Sequence, residues 1–246
     1  MRKLTWKPDK PDVRDFKFEA VKPSTAAKVD LRNIYNSIYD QGNLGSCTAN
    51  AISMAFDFER IKQRLNPITP SRLFIYYNER LLEGTVFSDS GAYIRDGIKT
   101  INKQGVCPEF EWPYIINKFR NTPTSQCYKD ALGNTLKSYL RIDNTKLSDL
   151  KSCLNSGYPF VFGFLVYSSF FSNTTTTTGQ VSMPTQFDQL LGGHAVICLG
   201  YDDSIQKFIC RNSWGSSWGD HGHFYIPYTY LTNPSLASDF WTMRLV

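Results

Sequence analysis

The rhythm of apolar and polar positions changes near residue 157 of the chain. From Ser46 to about Arg64, residues Ala51, Ile52, Ala55, Phe56, Phe58 and Ile61 supply a broad apolar surface, and Pro67 and Pro70 close the segment. That spacing predicts a helix that is apolar on most sides and therefore buried. Ser71 to about Leu82 predicts a second helix, N-capped by Ser71, and Ala92 to Asn102 a third that stops near Gly105. Beyond residue 157 the runs YPFVFGFLVY, HAVICLGYD, KFICRNSW and HFYIPYTY are β-branched and aromatic, bounded by Gly, Asp, Asn and Pro, and predict strands. A helical first half followed by a β-rich second half predicts an α+β protein with two lobes. Residues 1–28, rich in Lys, Pro and Asp, read as an irregular arm, and the polar tract 173–178 (NTTTTT) as a mobile loop tip.

Composition narrows the class. The 246 residues, 41% hydrophobic and 15% aromatic, suffice for a large core that needs no disulfide staples. The net charge of +5 is a mild excess concentrated in the arm, without the dense basic stripe or reading motif of a nucleic-acid binder. The N-terminal stretch has no apolar core of a secretory signal, and no run approaches the ~18 apolar residues of a membrane span. The expectation is an intracellular protein with neither nucleic acid nor membrane as partner. Six cysteines in such a setting read as thiols, although Cys107 and Cys127 flank a short segment and are able to bridge. With no CxxC pair and only three histidines, no metal site is expected. His221 and His223 alternate along an apparent strand and suit surface or packing roles.

Three separated segments carry candidate chemistry. Cys47 follows the Gly-rich approach Gln41-Gly42-Asn43-Leu44-Gly45-Ser46 and opens the buried helix. There the positive end of the helix dipole favours thiolate, and free backbone N–H groups can hold an oxyanion. Alone, the segment fits a small buried hydrophobe equally well. His194, in Gly192-Gly193-His194-Ala195, sits at the mouth of a strand and offers the imidazole that a thiol nucleophile needs. Alone, it is equally a turn residue. The run Asn212-Ser213-Trp214-Gly215-Ser216-Ser217-Trp218-Gly219 offers an amide carbonyl to fix an imidazole and indoles to shield the bond from water.

Together these segments resemble the papain-like cysteine peptidases. Gln41 through Cys47 matches Gln-Gly-x-x-Gly-Ser-Cys, Gly193-His194-Ala195 matches Gly-His-Ala, and Asn212 through Gly219 matches Asn-Ser-Trp-Gly-x-x-Trp-Gly, all in the family's order. Val29-Asp30-Leu31-Arg32 looks like the start of the family's mature domain, so the resemblance implies an N-terminal arm over 1–28 and a peptidase domain over 29–246. It implies a helical left lobe, an antiparallel β-barrel-like right lobe and a cleft between them. Cys47 is then the nucleophile, His194 its acid–base partner, Asn212 the group orienting His194, and Gln41 an oxyanion donor with the Cys47 N–H. Gly91 or Ala92 would hold an extended substrate through main-chain bonds, with Gly193 giving room and Ile94 an apolar wall to a side-chain pocket. Gly45, Ser46, Trp214 and Trp218 complete the implied substrate-facing set. A polypeptide substrate, a monomer and no metal or organic cofactor are implied as well.

The chain also departs from the family. Leu44 stands where secreted members usually carry a cysteine, and Thr48 where an aromatic residue commonly follows the nucleophile. Gly192-Gly193-His194-Ala195 is similar to cathepsin B, but no histidine-bearing inserted loop follows Pro113, so endopeptidase action is expected. Ser238-Asp239-Phe240 resembles the cathepsin B segment that puts an acid at the floor of the P2 pocket, which implies tolerance of Arg at P2. The arm is expected either to inhibit from the cleft or simply to pack against the body. The alternatives are another Cys–His amidohydrolase, disfavoured by Gln41 and the complete Asn-Ser-Trp-Gly run, and a silent peptide-binding module, disfavoured because the chemistry-bearing positions are intact.

Overall fold

A computed structural model describes residues 2–20 and 24–245. Helix α1 (Cys47–Lys62) is the central element, with every residue from Cys47 to Glu59 buried. Its polar side chains are absorbed locally: Asn50 Nδ2 donates to the Ser46 carbonyl at 2.9 Å, and Ser53 Oγ to the Pro70 carbonyl at 3.0 Å. Helices α2 (Arg72–Leu82) and α3 (Ile94–Gln104) pack beside it to form the first lobe. Ser71 caps α2 by accepting from the Phe74 N–H at 3.1 Å and donates its own hydroxyl proton to the Trp112 carbonyl at 2.7 Å. Gly105 ends α3 at φ 78°, a conformation that favours glycine.

The second half is an antiparallel sheet. The strands are β1 (Lys28–Asp30), β2 (Ser138–Ile142), β3 (Phe160–Tyr167), β4 (Leu190–Asp202), β5 (Lys207–Arg211), β6 (His223–Pro227) and β7 (Ala237–Arg244). They run in the order β2-β7-β3-β4-β5-β6, with β1 added to β4, and the sheet is not closed into a barrel. Helix α4 (Ser125–Ala131) belongs to the long connection into β2, and α5 (Leu147–Asn155) packs on β4.

Strand alternation divides the interior into two cores. Ala195, Ile197 and Leu199 of β4, with Val161 of β3 and Trp241 of β7, share a core with α1. The intervening Val196 and Cys198, with Phe160, Phe162, Phe164 and Phe240, form the second lobe's core. Because successive side chains on a strand face opposite sides, β4 serves both cores at once.

Three expectations are corrected. His194 lies inside β4, opposite Phe164 in the register, since the strand begins at Leu190 rather than after the glycines. The tract 173–178 is a short helix, α6 (Asn173–Thr178), capped by Ser172 and ended by Gly179 at φ 71°. Its threonine hydroxyls bond back to carbonyls one turn earlier, which satisfies a sequence that otherwise reads as loop. His221 occupies an exposed turn at φ 50°, whereas His223 opens β6 and accepts from Arg211 Nε at 3.1 Å.

The double use of Ser71 makes Ser71→Ala costly. Loss of the cap and of the bond to the Trp112 carbonyl is expected to lower stability by about 2 kcal/mol in urea unfolding.

Candidate active site

Cys47 is the first residue of α1, fully buried, with Ser46 as its non-helical N-cap. His194 is placed by β4, and Asn212 follows directly on β5. Packing of α1 on β4 brings these elements together. His194 Nε2 lies 2.8 Å from Asn212 Oδ1, which also accepts from the Ser213 N–H at 2.8 Å. Trp214 stacks on the imidazole at 4.9 Å between centroids and 28° between planes, and Phe164 meets it edge-on. A hydrogen bond enclosed this way is protected from competing water. Gln41 is anchored in the same wall. Its Oε1 accepts from Ser213 Oγ at 2.7 Å, and its Nε2 donates one proton to the Leu44 carbonyl at 3.0 Å, which leaves a second amide proton.

A thiol at a helix start, an imidazole fixed by an asparagine under an indole, and a glutamine amide in the approach loop are the parts of acyl-transfer chemistry. A family-wide profile described as "Papain family cysteine protease" matches residues 25–233. The chain belongs to the papain family of cysteine proteases.

The chain is 46% identical to xylellain, a cysteine protease from Xylella fastidiosa, whose crystal structure superposes with a TM-score of 0.92 over 99% of this chain and 96% of that one. It is 48% identical, over 97% of its length and 81% of the relative's, to an uncharacterized peptidase C1-like protein of Acanthamoeba polyphaga mimivirus. A cathepsin B-like protein of Giardia intestinalis is 34% identical over 77% of this chain and 63% of its own length. The protein is a papain-like cysteine peptidase.

In this peptidase the cleft is filled by its own N-terminal arm. Thr5 bridges Gly193 in parallel register, the Trp6 N–H donates to the Gly193 carbonyl at 3.0 Å, and the Lys7 N–H to the Ala92 carbonyl at 3.3 Å. Thr5 Oγ1 donates to the Gly45 carbonyl at 2.8 Å, and a backbone hydrogen bond from Thr5 reaches the Cys47 sulfur. A Cβ on Gly91 would fall 1.9 Å from the Thr5 carbonyl oxygen, and one on Gly163 would fall 1.9 Å from the Trp6 indole. Arg2 reaches Asp40 and the Gly42 and Trp214 carbonyls. An open concavity of about 690 Å³ lies elsewhere, bounded by residues such as Leu81, Leu82, Lys103 and Tyr139, and contains none of the expected site residues.

Burial under the arm changes the titration of the pair. It pushes the Cys47 thiol up to about 11, against backbone hydrogen bonds from Ala195, Thr5 and Thr48 that favour thiolate, while the nearby Glu79 adds to the rise. Burial also draws His194 down to about 4; the bond to Asn212 opposes this, and the Arg2 cation adds to it. His194 Nδ1 has no hydrogen-bond partner among the described residues. Burial under the arm therefore disfavours the thiolate and imidazolium forms of Cys47 and His194.

The other expected residues differ in what they face. Gly45, Gly91, Ala92 and Gly193 line the arm. Ser46 turns its hydroxyl toward Tyr114, and Trp218 stacks on Phe170 behind Trp214 instead of facing the cleft. Ile94 is wholly buried in the core shared with α1. Asp239, 2% exposed, binds Arg141 at 3.0 Å and accepts from the Asp9 N–H at 2.7 Å, so its carboxylate is already engaged. Thr48, at the position usually aromatic, donates to the buried Glu79 at 2.8 Å.

Residues that the motifs did not reveal support the site. Tyr114 donates to the Gln41 carbonyl at 3.0 Å, and Asp89 accepts from the Gly45 N–H at 2.9 Å. Both come from loops distant in sequence; the run Trp112-Pro113-Tyr114 resembles a left-lobe segment of the family, whereas no local pattern marks Asp89. Raising the pH converts the neutral thiol to thiolate, so alkylation of Cys47 by iodoacetamide in the intact chain should be slow near neutrality and accelerate toward pH 11. A rate already at its plateau by pH 8 would contradict the neutral, covered pair.

Proposed function

We propose that the protein is a latent endopeptidase in which Cys47 attacks the peptide carbonyl and its own arm occupies the substrate groove until displaced. The observation that carries this reading is the pairing of Thr5-Trp6-Lys7 with Gly193 on one wall and Ala92 on the other, directly over Cys47. Main-chain bonds to both walls hold an extended chain without regard to its side chains, the manner in which a peptide is bound as an added strand.

With the arm displaced, water re-enters the site and the charged forms of Cys47 and His194 are no longer penalised by burial. The thiolate then adds to the scissile carbonyl carbon. The Cys47 N–H and the second Gln41 amide proton hold the oxyanion, and protonated His194 gives its proton to the departing amine. A water molecule, deprotonated by His194, attacks the resulting thioester and expels Cys47. Asn212 keeps the imidazole in position throughout, with Trp214 over the bond. None of these steps calls for a cofactor.

The arm also suggests a side-chain preference. Trp6 is 5% exposed and rests where Gly163 and Gly193 both lack a Cβ. That recess suits a large aromatic side chain, and aromatic residues replace Arg as the expected preference there. Asp239 is held by Arg141, which leaves little attraction for a substrate guanidinium.

The arm is tied down along its length. Asp9 accepts from the Arg95 N–H at 3.2 Å and from Trp241 Nε1 at 2.9 Å, Arg95 binds Asp15 at 2.7 Å, and strand β2 exchanges backbone bonds with Phe16 and Phe18. This is the packing of a segment that stays in place unless something displaces it. A reducing, intracellular compartment suits the six unpaired thiols.

Exposure to a thiol-directed peptidyl epoxide, followed by intact-mass measurement, tests both parts of the reading. Trp6→Ala and a chain lacking residues 2–19 should gain one adduct, absent from Cys47→Ala versions. Losing a buried indole weakens docking by roughly 3 kcal/mol, so labelling should quicken more than tenfold over the intact chain. Equal rates with and without the arm would rule out latency. No adduct on any folded variant would identify a silent peptide-binding module.

A further inference from the structure

Outside the cleft, the first lobe gathers two thiols and a carboxylate that the peptidase chemistry does not use. Cys107 lies just before the loop that begins at Pro108, and Cys127 in the first turn of α4; both are fully buried. Glu111 reaches in from the loop between them. The two sulfurs and a Glu111 carboxylate oxygen lie within 4.8 Å of one another. Glu111 Oε2 is inaccessible to solvent and has no hydrogen-bond partner among the described residues. The Asp130 carboxylate stands beside it. Buried beside two thiols and the Asp130 carboxylate, this oxygen is paired with no cation among the described residues.

We propose that Cys107, Cys127 and Glu111 bind one thiophilic divalent cation of the zinc type, with Asp130 or water as the fourth ligand. Thiolate sulfur selects such ions over calcium or magnesium, and mixed sulfur and carboxylate sets close tetrahedrally. Zinc–sulfur bonds of ~2.3 Å and zinc–oxygen bonds of ~2.0 Å require the ligand atoms to draw in by about an ångström. Binding replaces the two S–H protons, so each ion taken up releases two protons when both thiols start neutral. Half-exposed Glu111 marks the side from which an ion enters.

The place of this cluster ties it to the cleft. The Cys107 carbonyl accepts from the Ser71 N–H at 2.9 Å, at the cap of α2. The loop between the two cysteines carries Glu109, which binds Arg72 at 2.6 Å, and Tyr114, which bonds the Gln41 carbonyl and the Ser46 hydroxyl. An ion across Cys107 and Cys127 fastens both ends of the loop that backs Gln41 and the start of α1. Its function is structural: it stiffens the wall of the groove and takes no part in bond cleavage.

The Cys47→Ala chain, purified under reducing conditions, removes the reactive thiol as a competing ligand. One zinc per chain by elemental mass spectrometry, held against a micromolar chelator, is the expected result. Cobalt in its place should give a near-ultraviolet thiolate-to-metal charge-transfer band. Cys107→Ser and Cys127→Ser in that background should abolish the band and weaken zinc binding at least a hundredfold. Glu111→Gln, which keeps the loop's shape and both thiols, should weaken it about tenfold and guards against misfolding of the serine variants. Undiminished binding in the folded serine variants would overturn the proposal, as would binding only at millimolar zinc. A Cys107–Cys127 disulfide in protein isolated without reductant, with no ion bound after reduction, would overturn it as well.

Discussion

The packing of helix α1 against strand β4 is the constraint on which the site depends. Cys47 belongs to the helix and His194 to the strand, and no covalent or local feature holds them near each other. Burial of one face of β4 against α1 sets their approach, while the other face of the same strand anchors the second core. A strand used on both faces cannot slip by one residue without exchanging its two sets of side chains, so the register that positions His194 is strongly specified. The aromatic wall of Phe164, Trp214 and Phe170 then confines the imidazole.

The same contact creates the groove, and the arm uses both of its walls. Gly91, Gly163 and Gly193 permit main-chain approach and indole insertion that any Cβ would block. The arm makes its bonds through groups a substrate would also use, and it removes water from the thiol and imidazole. Occlusion and electrostatics therefore act in one direction: the segment that fills the groove also favours the uncharged forms of the pair. Departures from the family's pattern are compensated locally. Thr48, lacking an aromatic ring, bonds Glu79 instead, while Leu44 is an ordinary buried apolar residue.

Much of this was legible before any coordinates. The three helices and the four strand runs follow from periodicity, with boundaries displaced by a few residues where glycines and caps decide them. Cys47, His194 and Asn212 were marked by short segments of distinctive composition. The errors have physical causes. His194 reads as standing at the mouth of a strand because two glycines precede it, yet β3 supplies partners that carry the strand through them. The threonine tract reads as loop because threonine is a poor helix former, yet its hydroxyls can close a single capped turn on themselves. Asp239 reads as a pocket floor from its neighbours in sequence, while Arg141 and Asp9, distant in the chain, occupy its oxygens.

The sequence by itself determined the fold class, the family and the segments that the site gathers, because helix and strand periods and short motifs are local patterns. Only the tertiary structure decided what covers the groove, which carboxylates are already paired and which thiols stand together. The arm between Arg2 and Phe18 contains no motif for cleft binding, and Cys107 and Glu111 meet Cys127 only when the intervening loop folds back. Those outcomes depend on surfaces assembled from distant segments, and a surface of that kind has no signature along the chain.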